Sequence, residues 1–167
     1  QQGLWEELAQ LLRVEMGLAL DGEARERLAL RLAELLEAML ERVAEAVEVY
    51  RGVLAENPQQ AEALANLERL FQGGAEPLVI AGILAPFYED AAAWEKLILL
   101  KEAALPHLAD DAERIASMKE AAGIALQRMG RVDLALYWYG RAFVLDPEDE
   151  EAGAELERLA ASAAAWE

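Results

Sequence analysis

The chain has 167 residues, with 15 Lys or Arg, 32 Asp or Glu and one His, which gives a net charge of −17 at neutral pH. Because the chain contains no cysteine, disulfides and thiolate metal sites are excluded. Its negative charge disfavours nucleic acid as a partner. No apolar run approaches the roughly 20 residues that a membrane-spanning helix needs, so no membrane span is expected.

Alanine, leucine and glutamate dominate the composition, and all three favour helix. Apolar spacing and chain breakers predict nine helices and no strand. In chain order the predicted helices span residues 4–20, 23–40, 43–56, 60–71, 76–90, 91–105, 110–129, 132–145 and 148 to beyond 160. All prolines lie at predicted helix boundaries except Pro86, where the fifth helix is expected to end or kink because proline lacks an amide donor.

An internal repeat becomes visible when the chain is aligned with itself at a shift of 89 residues. The alignment contains 20 identities in 78 pairs, against about nine expected from the composition. The motif AAAWE at residues 91–95 recurs after 72 residues, at 163–167. This spacing is 17 residues shorter than the shift of 89, which is about the length of one helix and its loop, so the first copy carries one additional helix. We place repeat unit one at about residues 5–93, repeat unit two at about 94–167 and the extra helix at 76–90.

Residues 116–147 resemble a tetratricopeptide repeat (TPR), a helical hairpin of about 34 residues with small side chains where its helices touch. The chain also contains Trp-Glu-x-Leu and Leu-Glu-Arg-Leu motifs. Through these motifs the whole chain is similar to long bacterial arrays of degenerate repeats. The resemblance implies one all-α domain over residues 1–167, a right-handed α-α superhelix (TPR-like solenoid) of about nine antiparallel helices. The repeat positions that carry it are Trp5, Trp94, Ala122, Gly123, Ala135, Tyr139, Ala142, Pro58 and Pro147.

The repeat pattern also predicts where aromatic side chains and the extra helix lie. Tyr139 is expected to be buried between the two helices of its hairpin, whereas at least one of Tyr137 and Trp138 is expected to be exposed. These two aromatics would either line a binding groove as a hot spot or, as the preferred interpretation, pack against an adjacent hairpin. Helical hairpins alternate an inner and an outer helix along a solenoid. The extra helix shifts this alternation, so a change in superhelix direction is expected near residues 73–93.

The tryptophans at the start of each unit are interpreted as core residues. Trp166 would begin a further unit, but it is the penultimate residue of the chain. Uncapped solenoid ends expose apolar surface, so we expect end-to-end or swapped self-association. The chain begins without Met and without a signal peptide, and we interpret it as a fragment of a longer protein. Its compartment stays open, with the cytoplasm as the favoured expectation.

Few residues could support catalysis. His107 follows Pro106 between two predicted helices and has no nucleophile near it in sequence. The acidic run at 146–151 lacks the alternating carboxylates and central glycine of a calcium loop, and we interpret it as a helix N-terminus. We therefore predict no catalytic residue, no cofactor and no metal site, and a protein that is not an enzyme.

The preferred hypothesis is a non-enzymatic scaffold that binds a protein or peptide partner. The net charge favours a partner with a basic face and an association that weakens with salt. The alternative is a structural spacer in a longer array that contacts mainly its neighbouring repeats or self-associates. By the TPR resemblance, the groove would be lined by the first helix of each hairpin, with Glu62, Arg69, Gln72, Glu120, Ile124, Gln127 and Arg128 as candidate residues.

Overall fold

The structure is a computed structural model that describes residues 2–164 of the chain, with side chains described as far as residue 162. The described residues form nine α-helices and no strand, which confirms the all-α prediction. The helices are α1 (Gln2–Leu18), α2 (Gly22–Ala38), α3 (Val43–Glu56), α4 (Ala61–Gln72), α5 (Pro77–Asp90), α6 (Trp94–Ala104), α7 (Asp111–Gln127), α8 (Val132–Leu145) and α9 (Glu150–Ala164). A short 3-10 helix (Leu105–His107) follows α6.

The extra helix predicted at 76–90 is α5, but it does not end at its internal proline. The helix continues through Pro86 to Asp90. Proline deprives the carbonyl four residues earlier of its amide donor, and here that carbonyl belongs to Gly82. Both Gly82 and Pro86 are exposed, so water can satisfy the freed carbonyl without breaking the helix.

The chain divides into two compact units, and the division falls inside α5, between Leu84 and Ala85. In the first unit, α1 packs on α2, α2 on α3 and α3 on α4. In the second unit, α6 packs on α7, α7 on α8 and α8 on α9. Each unit is therefore built from helices that contact their sequence neighbours, as helical hairpins do.

Small side chains allow close packing at the centre of the second unit. Tyr139 is buried as predicted, and Trp138 is buried in the same cluster, while Tyr137 is exposed. The fully buried alanines are Ala121, Ala122 and Ala125 on α7, Ala135 and Ala142 on α8, and Ala152 on α9. These alanines let the helix backbones approach each other, and the two aromatic rings fill the remaining space.

Three of the predicted repeat positions differ from expectation. Gly123 does not lie at a helix contact, because a Cβ atom added there would meet nothing within 4 Å. Its neighbours Ala121 and Ala122 make the contact instead. Trp5 and Trp94 are only partly buried and do not belong to the core, because each lies at the first turn of a helix, at the edge of its unit. Trp166 lies outside the described residues.

The two units use the same hydrogen bonds to begin their second helix. Asp21 accepts a hydrogen bond from the amide of Ala24, and Asp110 accepts one from the amide of Glu113. Four residues after each cap, an arginine donates to a carbonyl of the preceding loop. The donor–acceptor pairs are Arg25 with the Ala19 carbonyl, at 2.9 Å, and Arg114 with the Leu108 carbonyl, at 3.0 Å.

The helix ends are also equivalent at the shift of 89 residues. Glu41 and Gly130 both have positive φ, 55° and 65°, in the loops after α2 and α7. In the turn after α3, Asn57 Oδ1 accepts from the amide two residues later, and Asp146 Oδ1 does the same after α8. Pro58 and Pro147 lie in these two turns. The repeat in the sequence thus corresponds to a repeat of local geometry.

Candidate functional site

The groove residues predicted on α4 are exposed or are engaged within the first unit. Arg69 donates a hydrogen bond of 2.7 Å to Glu37 on α2. This ion pair raises the pKa of the Arg69 guanidinium, chiefly through the hydrogen bond. Glu62 and Gln72 are exposed on the same helix. The α4 residues therefore form part of a charged surface on α2 and α4.

The groove residues predicted on α7 belong to its contact with α6. Lys101 of α6 donates a hydrogen bond of 2.5 Å to Glu120, and the Arg128 guanidinium lies 5.5 Å from the Trp94 ring centroid. Ile124, between these two residues along the helix, packs against the core. The last candidate, Gln127, is exposed. Glu120 and Arg128 thus help to join α6 to α7, and a partner-binding role for these four side chains stays a prediction.

An apolar hollow of the second unit lies along the C-terminal half of α8. Its volume is about 670 Å³. Residues from the 3-10 helix region and from α7 complete its walls. The lining side chains are Leu105, Pro106, Arg114, Met118, Leu136, Tyr137, Arg141, Val144 and Leu145, with Gly140 contributing backbone.

A second hollow follows along the N-terminal half of α8, where α6 forms the opposite wall. Its volume is about 470 Å³. Two glutamates of α6 lie among otherwise apolar and aromatic residues. The lining residues are Glu95, Ile98, Leu99, Glu102, Met129, Leu134, Tyr137 and Trp138.

A polar bridge separates the two hollows. Arg141 donates hydrogen bonds to Glu102 Oε1, at 3.1 Å, and to the Tyr137 hydroxyl, at 3.2 Å. The same guanidinium lies 5.4 Å from the Tyr137 ring centroid and 4.8 Å from that of Trp138, within cation–π range. We call the two hollows and this bridge the α6–α8 groove. Measured along α8 from Leu134 to Leu145, it is about 17 Å long at 1.5 Å per residue.

Exposed apolar side chains of the second unit converge on the α6–α8 groove. Among its described residues, the exposed large apolar side chains are Leu99, Tyr137, Val144 and Leu145, with exposed fractions from 40% to 79%. All four line the groove. The floor also contains the indole of Trp138, which is 1% exposed and whose Nε1–H has no hydrogen-bond acceptor among the described residues.

The charges around the groove are unevenly distributed. Glu95 and Glu102 lie on the α6 side of the smaller hollow. Arg114, in the larger hollow, is already paired, because it donates to Asp111 Oδ1 at 2.6 Å and to the Leu108 carbonyl. Arg141 is neutralised by Glu102. The exposed carboxylate of Glu95 is therefore the charge most available to a partner at this surface.

The acidic run at 146–151 makes structural contacts. Asp149 accepts a hydrogen bond from the amide of Ala152 at 2.8 Å, and Lys119 of α7 bridges Asp149 and Glu151. The amide of Ala152, followed by Lys119, lowers the pKa of Asp149. His107 is exposed on the 3-10 helix. Among the described residues no cluster of His, Cys, Asp or Glu could hold a metal ion.

The spacing of apolar residues on α8 indicates this groove in the sequence, although the repeat pattern directed the prediction to other helices. Tyr137 and Val144 are seven residues apart on α8, and so lie on one face, away from the buried Ala135 and Ala142. A helix whose apolar residues extend beyond its buried face exposes a second apolar surface. The prediction placed the groove on the first helix of each hairpin because it followed the TPR resemblance.

No described helix is long and apolar enough to cross a membrane. No protein-family model, curated protein or solved structure matches the chain.

Proposed function

We propose that this chain is a non-enzymatic, TPR-like helical-repeat scaffold, an α-α superhelix whose α6–α8 groove binds a segment of another protein. The observation that carries the proposal is the convergence of Leu99, Tyr137, Val144 and Leu145 on one groove. The helix order and the repeated caps of the two units support the TPR-like part of the proposal. Exposed contiguous apolar patches of this kind mark interaction sites in monomeric proteins.

The dimensions of the groove suit a short amphipathic helix. A groove of about 17 Å accommodates about three helical turns, or 11 residues. Two hollows on either side of Tyr137 would each receive an apolar side chain, as in helix-in-groove recognition with anchors at i and i+4 or i+7. Tyr137 and Arg141 in the centre are residue types enriched among binding hot spots.

The charge of the chain favours basic residues beside the apolar anchors of the partner. The net charge of −17 attracts a cationic segment at long range, and Glu95 is exposed at the edge of the groove. Added salt screens this attraction, with a Debye length of about 8 Å at physiological ionic strength. The proposed partner is therefore a basic amphipathic helix that binds more weakly as salt is raised.

Two synthetic 14-residue helical peptides with the same leucine face test this proposal. One carries lysines beside the leucines and the other carries glutamates, and each is titrated into ¹⁵N-labelled protein. We expect the lysine peptide to bind at least tenfold more tightly, with affinity lost in 0.5 M salt. Amide shifts should concentrate on α6 and α8, together with the indole N–H of Trp138.

Matched variants separate groove binding from general attraction to an acidic protein. Tyr137→Ala and Val144→Ser remove exposed groove side chains and should lower the affinity at least tenfold. Leu20→Ser removes a fully exposed aliphatic side chain from the first unit and should leave the affinity unchanged. If all three variants bind like the parent protein, the groove is not the binding site. Absence of binding at every salt concentration would favour the spacer hypothesis.

A further inference from the structure

The surface of the α6–α8 groove has a counterpart in the first unit, where it is neither apolar nor open. At the shift of 89 residues, α6 corresponds to α1 and α8 to α3. Polar or small residues occupy the positions of the four exposed apolar groove residues. The corresponding residues are Gln10 for Leu99, Glu48 for Tyr137, Ala55 for Val144 and Glu56 for Leu145. The groove is therefore a property of the second unit, and the packing of the helices does not require it.

In the first unit this surface carries a closed network of ion pairs between α1 and the start of α3. Arg42, the N-cap residue of α3, pairs with Glu6 of α1 at 2.9 Å and donates a hydrogen bond of 2.6 Å to Glu45. Arg13 of α1 pairs with the same glutamate, Glu45, at 3.0 Å. Two arginines and two glutamates thus satisfy one another and leave no net charge at this surface.

The second unit has lost this network at two of its four positions. The corresponding residues are Glu95 for Glu6, Arg131 for Arg42, Leu134 for Glu45 and Glu102 for Arg13. A leucine therefore stands where the first unit has a glutamate, and a glutamate stands where it has an arginine. The four positions now hold one cation and two anions beside an apolar side chain.

The charges that remain are committed to other residues, with one exception. Arg131 donates hydrogen bonds to Asp133 at 2.8 and 2.7 Å. The Asp133 hydrogen bond is the main cause of the raised pKa of Arg131, with a smaller contribution from Glu95. Glu102 accepts a hydrogen bond from Arg141. Among the described residues, Glu95 has neither a hydrogen-bond partner nor an ion-pair partner.

Glu95 lies beside apolar residues where its counterpart lies beside a cation. It is exposed in the first turn of α6 and lines the smaller hollow together with Leu99 and Leu134. The helix dipole favours a carboxylate in a first turn, but it does not account for the loss of the neighbouring cation. In the larger hollow, Arg114 and Arg141 are already paired. Among its described residues, the groove therefore offers one free carboxylate, at the smaller hollow.

We propose that Glu95 pairs with a single lysine or arginine of the bound segment, placed beside the apolar anchor that fills the smaller hollow, and that this pair sets the register of the segment in the groove. The partner then supplies the cation that Arg42 supplies to Glu6 in the first unit. Charge complementarity at a defined place fixes register and specificity more than it raises affinity. This assignment rests on the proposed function of the α6–α8 groove. It adds that the first unit, closed by its own ion pairs, binds no second segment.

Three synthetic 14-residue helical peptides with two leucine anchors seven residues apart test the register. One carries a lysine beside its N-terminal anchor, one carries it beside its C-terminal anchor, and the third carries glutamine at both places. Each is titrated into ¹⁵N-labelled protein. We expect one lysine peptide to bind about threefold more tightly than the glutamine peptide, as is typical of an exposed ion pair, and the other to bind like the glutamine peptide. Amide shifts should be confined to the second unit.

Variants of Glu95 test the pair itself. Glu95→Gln should abolish the difference between the two lysine peptides and leave the affinity for the glutamine peptide unchanged. Glu95→Lys should reverse the preference, so that a glutamate at the place preferred for lysine strengthens binding about threefold. Glu150→Gln is the matched control, because it removes an exposed carboxylate from the first turn of α9, and it should change neither affinity. Circular dichroism confirms that the variants are folded.

Binding of the glutamine peptide separates this proposal from the proposed function. If Val144→Ser weakens binding of the glutamine peptide but the two lysine peptides bind equally, the groove binds a partner and the role of Glu95 is wrong. A preference that persists in Glu95→Gln would also overturn that role. Shifts of α1 and α3 amides as large as those of α6 and α8 would show that the first unit is not closed. If none of the three peptides binds, both the proposed function and the role of Glu95 are overturned.

Discussion

Tyr50 offers the sharpest test of the core of the first unit. Its side chain is 0% exposed in α3, and its hydroxyl has no hydrogen-bond partner among the described residues. Leaving a buried polar group unsatisfied costs about 1–3 kcal/mol. Replacing Tyr50 with Phe removes that cost while retaining the ring, and it leaves a void of one oxygen atom. We expect Tyr50→Phe to keep or raise the free energy of unfolding at pH 7, by up to about 1 kcal/mol.

The same substitution should change the behaviour of the protein at alkaline pH. Burial raises the pKa of the Tyr50 hydroxyl, and the Glu37 and Glu34 carboxylates raise it further. In the unfolded chain the pKa of tyrosine is about 10. The folded state therefore holds this proton more tightly, so the stability from Tyr50 is complete below pH 10 and is lost as pH rises above it. The loss approaches about 1.4 kcal/mol per pH unit for this one group.

Urea denaturation followed by circular dichroism at pH 7, 10 and 11 measures both effects. The difference in unfolding free energy between Tyr50→Phe and the parent protein should grow by about 1 kcal/mol between pH 10 and 11. Leu20→Ser, which changes an exposed side chain and removes no titratable group, is the control and should show no such growth. If Tyr50→Phe lowers stability at pH 7 by more than about 1 kcal/mol, the hydroxyl has a partner and the reasoning is wrong.

Three further predictions concern the backbone and the caps. Gly123→Ala should raise the unfolding free energy in urea melts by about 0.5–1 kcal/mol, because the added Cβ atom would meet nothing within 4 Å. A lower unfolding free energy would instead indicate that the added methyl group collides with a neighbour. Glu41→Gly should raise it by up to about 1 kcal/mol, because Glu41 has φ 55° where the second unit has glycine. Asp110→Ala should lower it by about 1 kcal/mol, whereas Asp110→Asn, which keeps the cap acceptor, should not. The hydrogen bond from Arg131 lowers the pKa of Asp133 to about 2, so the stability from this carboxylate is present above pH 4 and is lost as pH falls toward 2. The unfolding free energy of Asp133→Asn should therefore fall less steeply between pH 4 and 2 than that of the parent protein. An equally steep fall would contradict this assignment.

Much of the local structure could be predicted from the sequence because it depends on neighbours along the chain. Helix boundaries followed from apolar spacing and chain breakers, and the structure adds Asp21 and Asp110 as the caps of α2 and α7. The burial of Tyr139 beside Ala135 and Ala142 was expected from the resemblance of this helix to the second helix of a tetratricopeptide repeat. Pro86 is the exception, because the tolerance of the helix for it depends on exposure of the neighbouring carbonyl.

The candidate site could not be predicted in the same way, because it depends on which helix faces remain uncovered after packing. Sequence spacing places Glu120 and Arg128 on one face of α7, but only the packed structure shows that this face contacts Lys101 and Trp94 of α6. Likewise, an apolar residue such as Val144 or Leu11 looks like a core residue until the neighbouring helices are in place. Periodicity determines which residues share a face, whereas the packing of the helices decides whether that face is buried or left free to bind a partner.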